Sequence, residues 1–406
     1  MYRKYHEPEL MPKRHEMSAL IKEAVKPLGR TEYAPFTECA GRICAEDVFS
    51  RNELPNRPAS MMDSIGVRYA DFEKGPVDTA NWTEGKEFVF CNTGVAIPEG
   101  FDTVIPVEGI DFDPDGRLVI RKPPVQKGAG VAMPGEQMRR GEKLIAAGTK
   151  ITPAHIGLFA SGGVMEVPVR AKPRISILPT GRELIPAGLE LPPGKAVDSN
   201  SHMLAAFLSQ WGAVPLPLPI VIDDLDLISK ALREAVAQAD MAVIIAGSSK
   251  GSEDYTMDVL AKQGTVIVHE LGHGPGKHTS LALVDGKPVL GLPGPPFGAQ
   301  LAAELYLHDA LRALLGRPFT KPRMIEVVLT GEYSPRPFDF CERLHLWRNG
   351  SEYRARSVFG SRTTRAETAA FSNAMLYRSA GISYREGDRV QAELLCPEED
   401  IPDAEA

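Results

Sequence analysis

Residues 241–264 read MAVIIAGSSKGSEDYTMDVLAKQG: six apolar residues, a run of small polar ones, then a helix-like segment. The apolar hexamer is too short for a buried helix and carries no alternation, which suits a strand covered on both faces. The small residues behind it leave backbone N–H groups open at the start of a helix, where an anion is favoured. The same strand, loop and helix succession continues on both sides. Upstream stand ISILPT (175–180), a helix around SHMLAAFLSQWG, VPLPLPI (214–220) and a helix around DLISKALREAVAQA. Downstream stand VIVHEL (266–271), PVLGLPG (288–294) and a long helix near AQLAAELYLHDALRALLG. Such alternation predicts a parallel sheet covered by helices, an α/β domain over residues 173–317.

Farther out the pattern changes. Tyr33 to about Val131 holds short strand candidates such as FVF (88–90), TVIPV (103–107) and RLVIR (117–121), separated by Gly and Pro. This predicts a β-rich domain over 41–134. Residues 135–169 give a strand, a turn and a helix beginning near Pro153, with Thr152 as N-cap. A short amphipathic helix is expected from about Met17, stopped by Pro27. Beyond Pro318, MIEVVLT, ERLHLWR, EYRARSV and RVQAELL predict a small all-β domain over 318–406.

The 406 residues are 43% hydrophobic and 24% charged, which excludes a disordered or fibrous chain and leaves room for several domains. Lys and Arg number 46 against 53 Asp and Glu, a net charge of −7. No global basic field exists to hold a nucleic acid, so an anionic ligand must be gripped by a few local groups. The five scattered cysteines, Cys39, Cys44, Cys91, Cys341 and Cys396, form no zinc or disulfide spacing and fit a reducing cytoplasm. MYRKYHEPELMPKRHEM has no apolar run behind its charges and no later window is long and apolar enough to cross a bilayer, so neither secretion nor a membrane span is expected.

Three loops follow successive strands: Gly247–Asp254, Gly274-Pro275-Gly276-Lys277 and Gly291-Leu292-Pro293-Gly294-Pro295-Pro296. In α/β sheets ligands bind outside the carboxyl ends of the strands, so together these loops would line one crevice. Lys277 would supply a point charge for an oxyanion, or be solvated surface. Carboxylates fall at matching positions: Glu183, Asp198, Asp223, Asp224 and Asp254. They suit a hard cation such as Mg²⁺ or, at Asp198 and Asp223, helix capping. His269-Glu270-Leu271-Gly272-His273 matches the zinc-protease pattern, yet a strand precedes it and Gly-Pro-Gly follows, so a strand end running into a loop is expected.

Eight strings in one order carry a resemblance: SMMDSIGVRYADF, NTGVAIPEGFDTVIPVE, GLFASGGVMEVPV, ISILPTGRELIPAG, VDSNSHMLAAFL, AGSSKGSEDYTMDVLAKQG, GPGK and GLPGPP. The chain resembles the molybdopterin molybdenumtransferase family, the MoeA-like enzymes that include the gephyrin E domain, over nearly its whole length. The resemblance implies four domains: a discontinuous linker (1–40 and 135–172), the β-rich domain, a molybdopterin-binding α/β domain and a C-terminal β barrel. It implies a cytoplasmic homodimer that inserts molybdate into adenylylated molybdopterin (molybdopterin-AMP) with Mg²⁺ and releases AMP. A molybdopterin adenylyltransferase and a recipient molybdoenzyme are the implied protein partners, without nucleic acid or membrane.

Carried over by motif, Asp63, Thr93, Glu183, Asp223, Asp254 and Lys277 would be catalytic, with Glu183, Asp223 and Asp254 holding the metal. Ser248, Ser249, Gly251, Pro293, Pro296, Arg343 and Ser361 would bind the cofactor. Several positions depart from the family's usual pattern: Gln137 and Arg182 each stand where an acid is common, Ser64 where Gly is, and Gly274 and His278 flank a loop that usually carries two lysines. A noncatalytic carrier of molybdopterin is the alternative reading, and an α/β hydrolase of a nucleotide pyrophosphate a third.

Overall fold

The computed structural model describes residues 11–246, 255–359 and 364–403. The chain forms two compact units, one of Met1–Gly29 with Lys172–Ala406 and one of Arg30–Ala171.

The first unit contains a six-stranded sheet. Its strands are β1 (Arg174–Pro179), β2 (Val214–Pro217), β3 (Met241–Ala246), β4 (Gly264–Val268), β5 (Ser280–Val284) and β6 (Lys287–Pro293), in the order β2-β1-β3-β6-β5-β4. β2, β1, β3 and β6 are mutually parallel. Alternate residues of each central strand enter opposite cores. Ile175, Ile177, Val243, Ile245, Leu290 and Leu292 pack on one face, and Leu178, Ala242, Ile244 and Val289 on the other. Both sets are buried, which is why these strands read as unbroken apolar runs.

Helix α1 (Arg14–Ala24), α2 (Asn200–Gln210) and α5 (Pro296–Ala302) cover the first face; α3 (Leu225–Gln238) and α4 (Tyr255–Gln263) cover the second. α1 buries Met17 and Ile21 and ends at Ala24, three residues before Pro27. α5 runs through a π turn at Ala303–Leu307 into α6 (His308–Leu314).

The sheet is mixed rather than wholly parallel, because β5 runs antiparallel to both neighbours. β5 and β6 are joined by Asp285-Gly286, both at positive φ (51° and 73°), the two-residue turn whose twist matches a hairpin. The reversal has a consequence for the site. β5 begins at the edge where β6 ends, with Ser280 opposite Gly291, so the loop before β5 lies at the carboxyl edge of the parallel strands.

The same unit ends in a closed five-stranded barrel: β7 (Met324–Leu329), β8 (Asp339–Asn349), β9 (Glu352–Ser357), β10 (Ala374–Arg378) and β11 (Arg389–Leu394). The order is β8-β9-β7-β11-β10, and β10 pairs back on β8. Helix α7 (Arg365–Phe371) joins the β9 and β10 region. Inside the barrel Arg378 meets Glu342 at 2.6 Å, both almost fully buried, and donates to the Ser334 carbonyl at 2.7 Å.

The second unit is built from short antiparallel pairings. Ser64–Val67 lies between Phe88–Cys91 and Thr103–Pro106, and Thr31–Pro35 pairs with Glu166–Arg170. Its helix, Pro153–Ser161, starts where proline at N1 and the Thr152–His155 capping box place it. Among the described residues no helix is long and apolar enough to cross a membrane.

Candidate functional site at the carboxyl edge of the sheet

Three turns gather at the carboxyl edge of the α/β sheet. After β1, the Thr180 N–H and hydroxyl both donate to the Ile245 carbonyl at 2.9 Å, fastening this turn to the end of β3. The next residue but one, Arg182, donates its backbone N–H to Asp223 Oδ2 at 3.1 Å, while its guanidinium reaches the Asp223 carbonyl at 2.7 Å. Lys195 Nζ in turn donates to the Arg182 carbonyl at 2.7 Å. Glu183 is exposed beside them, its carboxylate within 3.0 Å of where a side chain on Gly181 would begin. Two of the three carboxylates expected as metal ligands thus stand on one turn system, with the Arg182 guanidinium clasped to the backbone carbonyl of Asp223.

The capping alternative is divided between neighbours. Asp224, not Asp223, caps α3, accepting from the Asp226 and Leu227 N–H groups. Asp198 accepts from the Ser201 N–H at the start of α2. Asp254, the third expected ligand, lies outside the described residues, as do Ser248, Ser249, Gly251 and Ser361. Glu183 and Asp223 supply the hard oxygen donors that Mg²⁺ takes; among the described residues no three His, Cys, Asp or Glu side chains converge on a metal-sized point.

The second turn is the loop before β5. Leu271 N–H donates to the Lys277 carbonyl at 2.8 Å, and the Thr279 hydroxyl to the Gly276 carbonyl at 2.7 Å, so the loop is closed on itself. The H-E-x-x-H residues form no helix. His273 is buried with Nε2 2.5 Å from the Tyr306 hydroxyl, and burial pushes its ring down to about 4. Glu270 is only 4% exposed and faces Lys277 and His278. Burial alone would raise its carboxyl, but the hydrogen bond from His278 and the charges of Lys277, His278 and His269 outweigh it and hold Glu270 at about 2.

The third turn follows β6. Pro293 ends the strand, Pro296 begins α5, and Asn200 Nδ2 of α2 donates to the Gly294 carbonyl between them at 2.8 Å. Gly298 lies against both Pro293 and the backbone of Gly276, which joins the second and third turns. Beside them opens a cleft of about 490 Å³ lined by Met203, Pro296, Phe297, Gln300, Phe359 and Arg365 among others, between α2, α5 and α7. Arg365 donates to Ser199 Oγ at 2.9 Å across this region.

Three further expected residues lie on other elements. Arg343, on β8, is 2% exposed and its guanidinium forms a two-pronged pair with Glu304 at 2.7 and 3.0 Å. The pair ties the barrel to the helix after β6, and a buried guanidinium so engaged is an internal cross-link rather than a surface for ligand. In the second unit, the pairing of Ser64 with Cys91 sets the ends of two strands side by side. Asp63 Oδ1 there accepts from the Thr93 N–H at 2.9 Å and hydroxyl at 3.0 Å, which holds the Asp63 carboxyl below its ordinary value.

Two family profiles match this chain. Residues 13–163 match the MoeA N-terminal region (domain I and II), and residues 176–313 a probable molybdopterin binding domain. A molybdopterin molybdenumtransferase of Nostoc sp. is 30% identical over 306 residues, 70% of each chain. The chain belongs to the molybdopterin molybdenumtransferase family. The Bacillus subtilis enzyme of that name is 28% identical over 91% of each chain. Two crystal structures of the molybdopterin biosynthesis MoeA protein from Pyrococcus horikoshii share the fold at 24% identity, with TM-scores of 0.76 and 0.69, covering 95% of this chain and 100% of theirs. Family membership places the chain in molybdenum cofactor biosynthesis.

Proposed function

We propose that this chain is a molybdopterin molybdenumtransferase that inserts molybdate into adenylylated molybdopterin and releases AMP. The observation that carries the reading is the placement of Glu183, Asp223, Lys277, Pro293 and Pro296 on three turns at one edge of the sheet, the second and third of them in contact. A dianionic oxyanion and a phosphoanhydride must be brought together there against their mutual repulsion, which calls for fixed positive groups. Lys277 is the oxyanion's point charge, and Pro293 and Pro296 shape the turn beside the cleft. Ser248, Ser249 and Gly251 belong to the loop that would hold the pterin phosphate, with Ser361 contributing from the barrel.

Glu183, Asp223 and Asp254 would hold Mg²⁺, whose charge offsets the phosphoanhydride oxygens during cleavage. Asp63, fixed as an anion by Thr93, is assigned to the same reaction, with a homodimer completing each site. The chain is read as a cytoplasmic protein of four parts, a linker (1–40 and 135–172), a β-rich domain (41–134), an α/β domain (173–317) and a barrel (318–406), in which α1 lends its apolar face to the α/β core. Its protein partners are the enzyme that adenylylates molybdopterin and the molybdoenzyme that receives the product.

The test is to incubate the purified chain with adenylylated molybdopterin, molybdate and Mg²⁺. Molybdate-dependent AMP release, with product that activates an apo-molybdoenzyme, is expected; tight molybdopterin binding without AMP release would make the chain a carrier.

A further inference from the structure

Three stretches of chain meet at the first turn: residues 180–183 after β1, residues 195–196, and residues 221–223 before α3. The Gly181 N–H donates to the Val221 carbonyl at 3.0 Å and the Ala196 N–H to the Glu183 carbonyl at 2.9 Å, so main-chain hydrogen bonds stitch the stretches together. Four charged residues stand on them: Arg182, Glu183, Lys195 and Asp223. Their hydrogen bonds run to main-chain groups instead of to one another's side chains. The Asp223 carboxylate accepts from the Arg182 N–H at 3.1 Å, the Arg182 guanidinium donates to the Asp223 carbonyl at 2.7 Å, and Lys195 Nζ donates to the Arg182 carbonyl at 2.7 Å. A guanidinium carries five N–H donors and an ammonium three. Among the described residues these carbonyls engage only Nε and Nη2 of Arg182 and a single proton of Lys195. Both cations are exposed. They keep their charge and spare donors while being tethered beside two carboxylates.

We propose that Arg182 and Lys195 are resident cations of the first turn, which bind the phosphoryl oxygens of the adenylylated substrate and hold down the affinity of Glu183 and Asp223 for a divalent cation. This rests on the proposed function, in which those carboxylates take Mg²⁺ and the substrate carries a phosphoanhydride. A divalent cation at the two carboxylates is repelled by both resident charges, and its double charge doubles each repulsion. A phosphoryl oxygen arriving at the same turn meets donors already in place, and the planar guanidinium fork matches its geometry. Part of the charge that offsets the phosphoanhydride thus belongs to the chain itself. Removing it shifts the two ligands in opposite directions. A purely structural Arg182 would behave otherwise: it fastens Asp223, so its loss would loosen that carboxylate and weaken both ligands together.

Two equilibrium measurements on the full chain test this, and neither needs turnover. One follows Mn²⁺, standing in for Mg²⁺, by electron paramagnetic resonance; the other follows adenylylated molybdopterin binding to the metal-free protein by calorimetry. Arg182→Gln should tighten Mn²⁺ about threefold to tenfold, the effect of removing one nearby charge in a water-like surrounding. The same change should weaken substrate binding on the order of tenfold, as for a lost charge-assisted hydrogen bond. Lys195→Gln leaves the Asp223 hydrogen bonds intact and should shift both affinities in the same senses by less. Arg182→Lys keeps the charge and should hold the Mn²⁺ affinity near that of wild type.

The signs decide. Mn²⁺ binding weakened or unmoved in Arg182→Gln, or substrate binding tightened or unmoved, would overturn the proposal, as would Mn²⁺ bound by neither wild type nor variant. Thermal unfolding checks that each variant is folded, and should Arg182→Gln fail to fold, Lys195→Gln decides by the same signs. Because molybdate enters neither measurement, the insertion reaction is judged separately by molybdate-dependent AMP release.

Discussion

Arg343 and Asp63 show how a single residue's surroundings decide between binding and structure. Arg343 is buried against the partly exposed Glu304, which also accepts from Gln300, so Arg343→Ala removes the buried half of this pair and should destabilise the chain by about 1–3 kcal/mol, read as a lowered urea midpoint. A ligand role would instead leave the midpoint in place. Asp63 is exposed and held as an anion by Thr93, so Thr93→Val should raise the pH at which that carboxyl titrates, measured by NMR, without moving the unfolding midpoint. His273 and Glu270 set the acid limb of stability. His273 is pushed from 6.5 to about 4 in the fold, so the unfolded chain binds the extra proton first and stability falls as pH drops from 6.5 toward 4. Glu270, lowered from 4.5 to about 2, adds a second loss between those values. A urea-midpoint profile against pH should show both limbs, and His273→Gln should remove the upper one.

At the scale of elements, a strand buried on both faces announces itself as a short apolar run bounded by turns, and β1, β3 and β6 were legible for that reason. β5 was not, because SLALV stands seven residues after the H-E-x-x-H string and the Asp285-Gly286 hairpin that reverses it is a two-residue signal inside a longer apolar stretch. β10 escaped for a related reason: AMLYR follows a helix directly and gains its strand partners only by closing the barrel. The three turns were legible as Gly and Pro clusters, but their convergence depends on β5 running backward. Glu270 could not be weighed from sequence, since its burial arises from a loop folding over it. The β4–β5 contact is tight enough to test. A Cβ on Gly264 would stand 2.1 Å from the Leu283 carbonyl oxygen, a backbone atom that cannot rotate away. Gly264→Ala should therefore cost about 1–3 kcal/mol, measured by chemical denaturation.

For the whole molecule, the family resemblance and the matching profiles agree over the N-terminal region and the α/β domain, and the barrel closes as the family's fold requires. At the carboxyl edge Arg182 clasps the backbone carbonyl of Asp223, and His278 shares Glu270 with Lys277. A carrier would bind molybdopterin at this edge and stop; a transferase must also bring an oxyanion to it. The most direct measurement is the stoichiometry of molybdenum incorporated into molybdopterin per AMP released, in a single turnover with excess molybdate. One molybdenum per AMP, with AMP release abolished when molybdate is omitted, is the expected result. AMP release independent of molybdate, or bound molybdopterin with neither product, would contradict it.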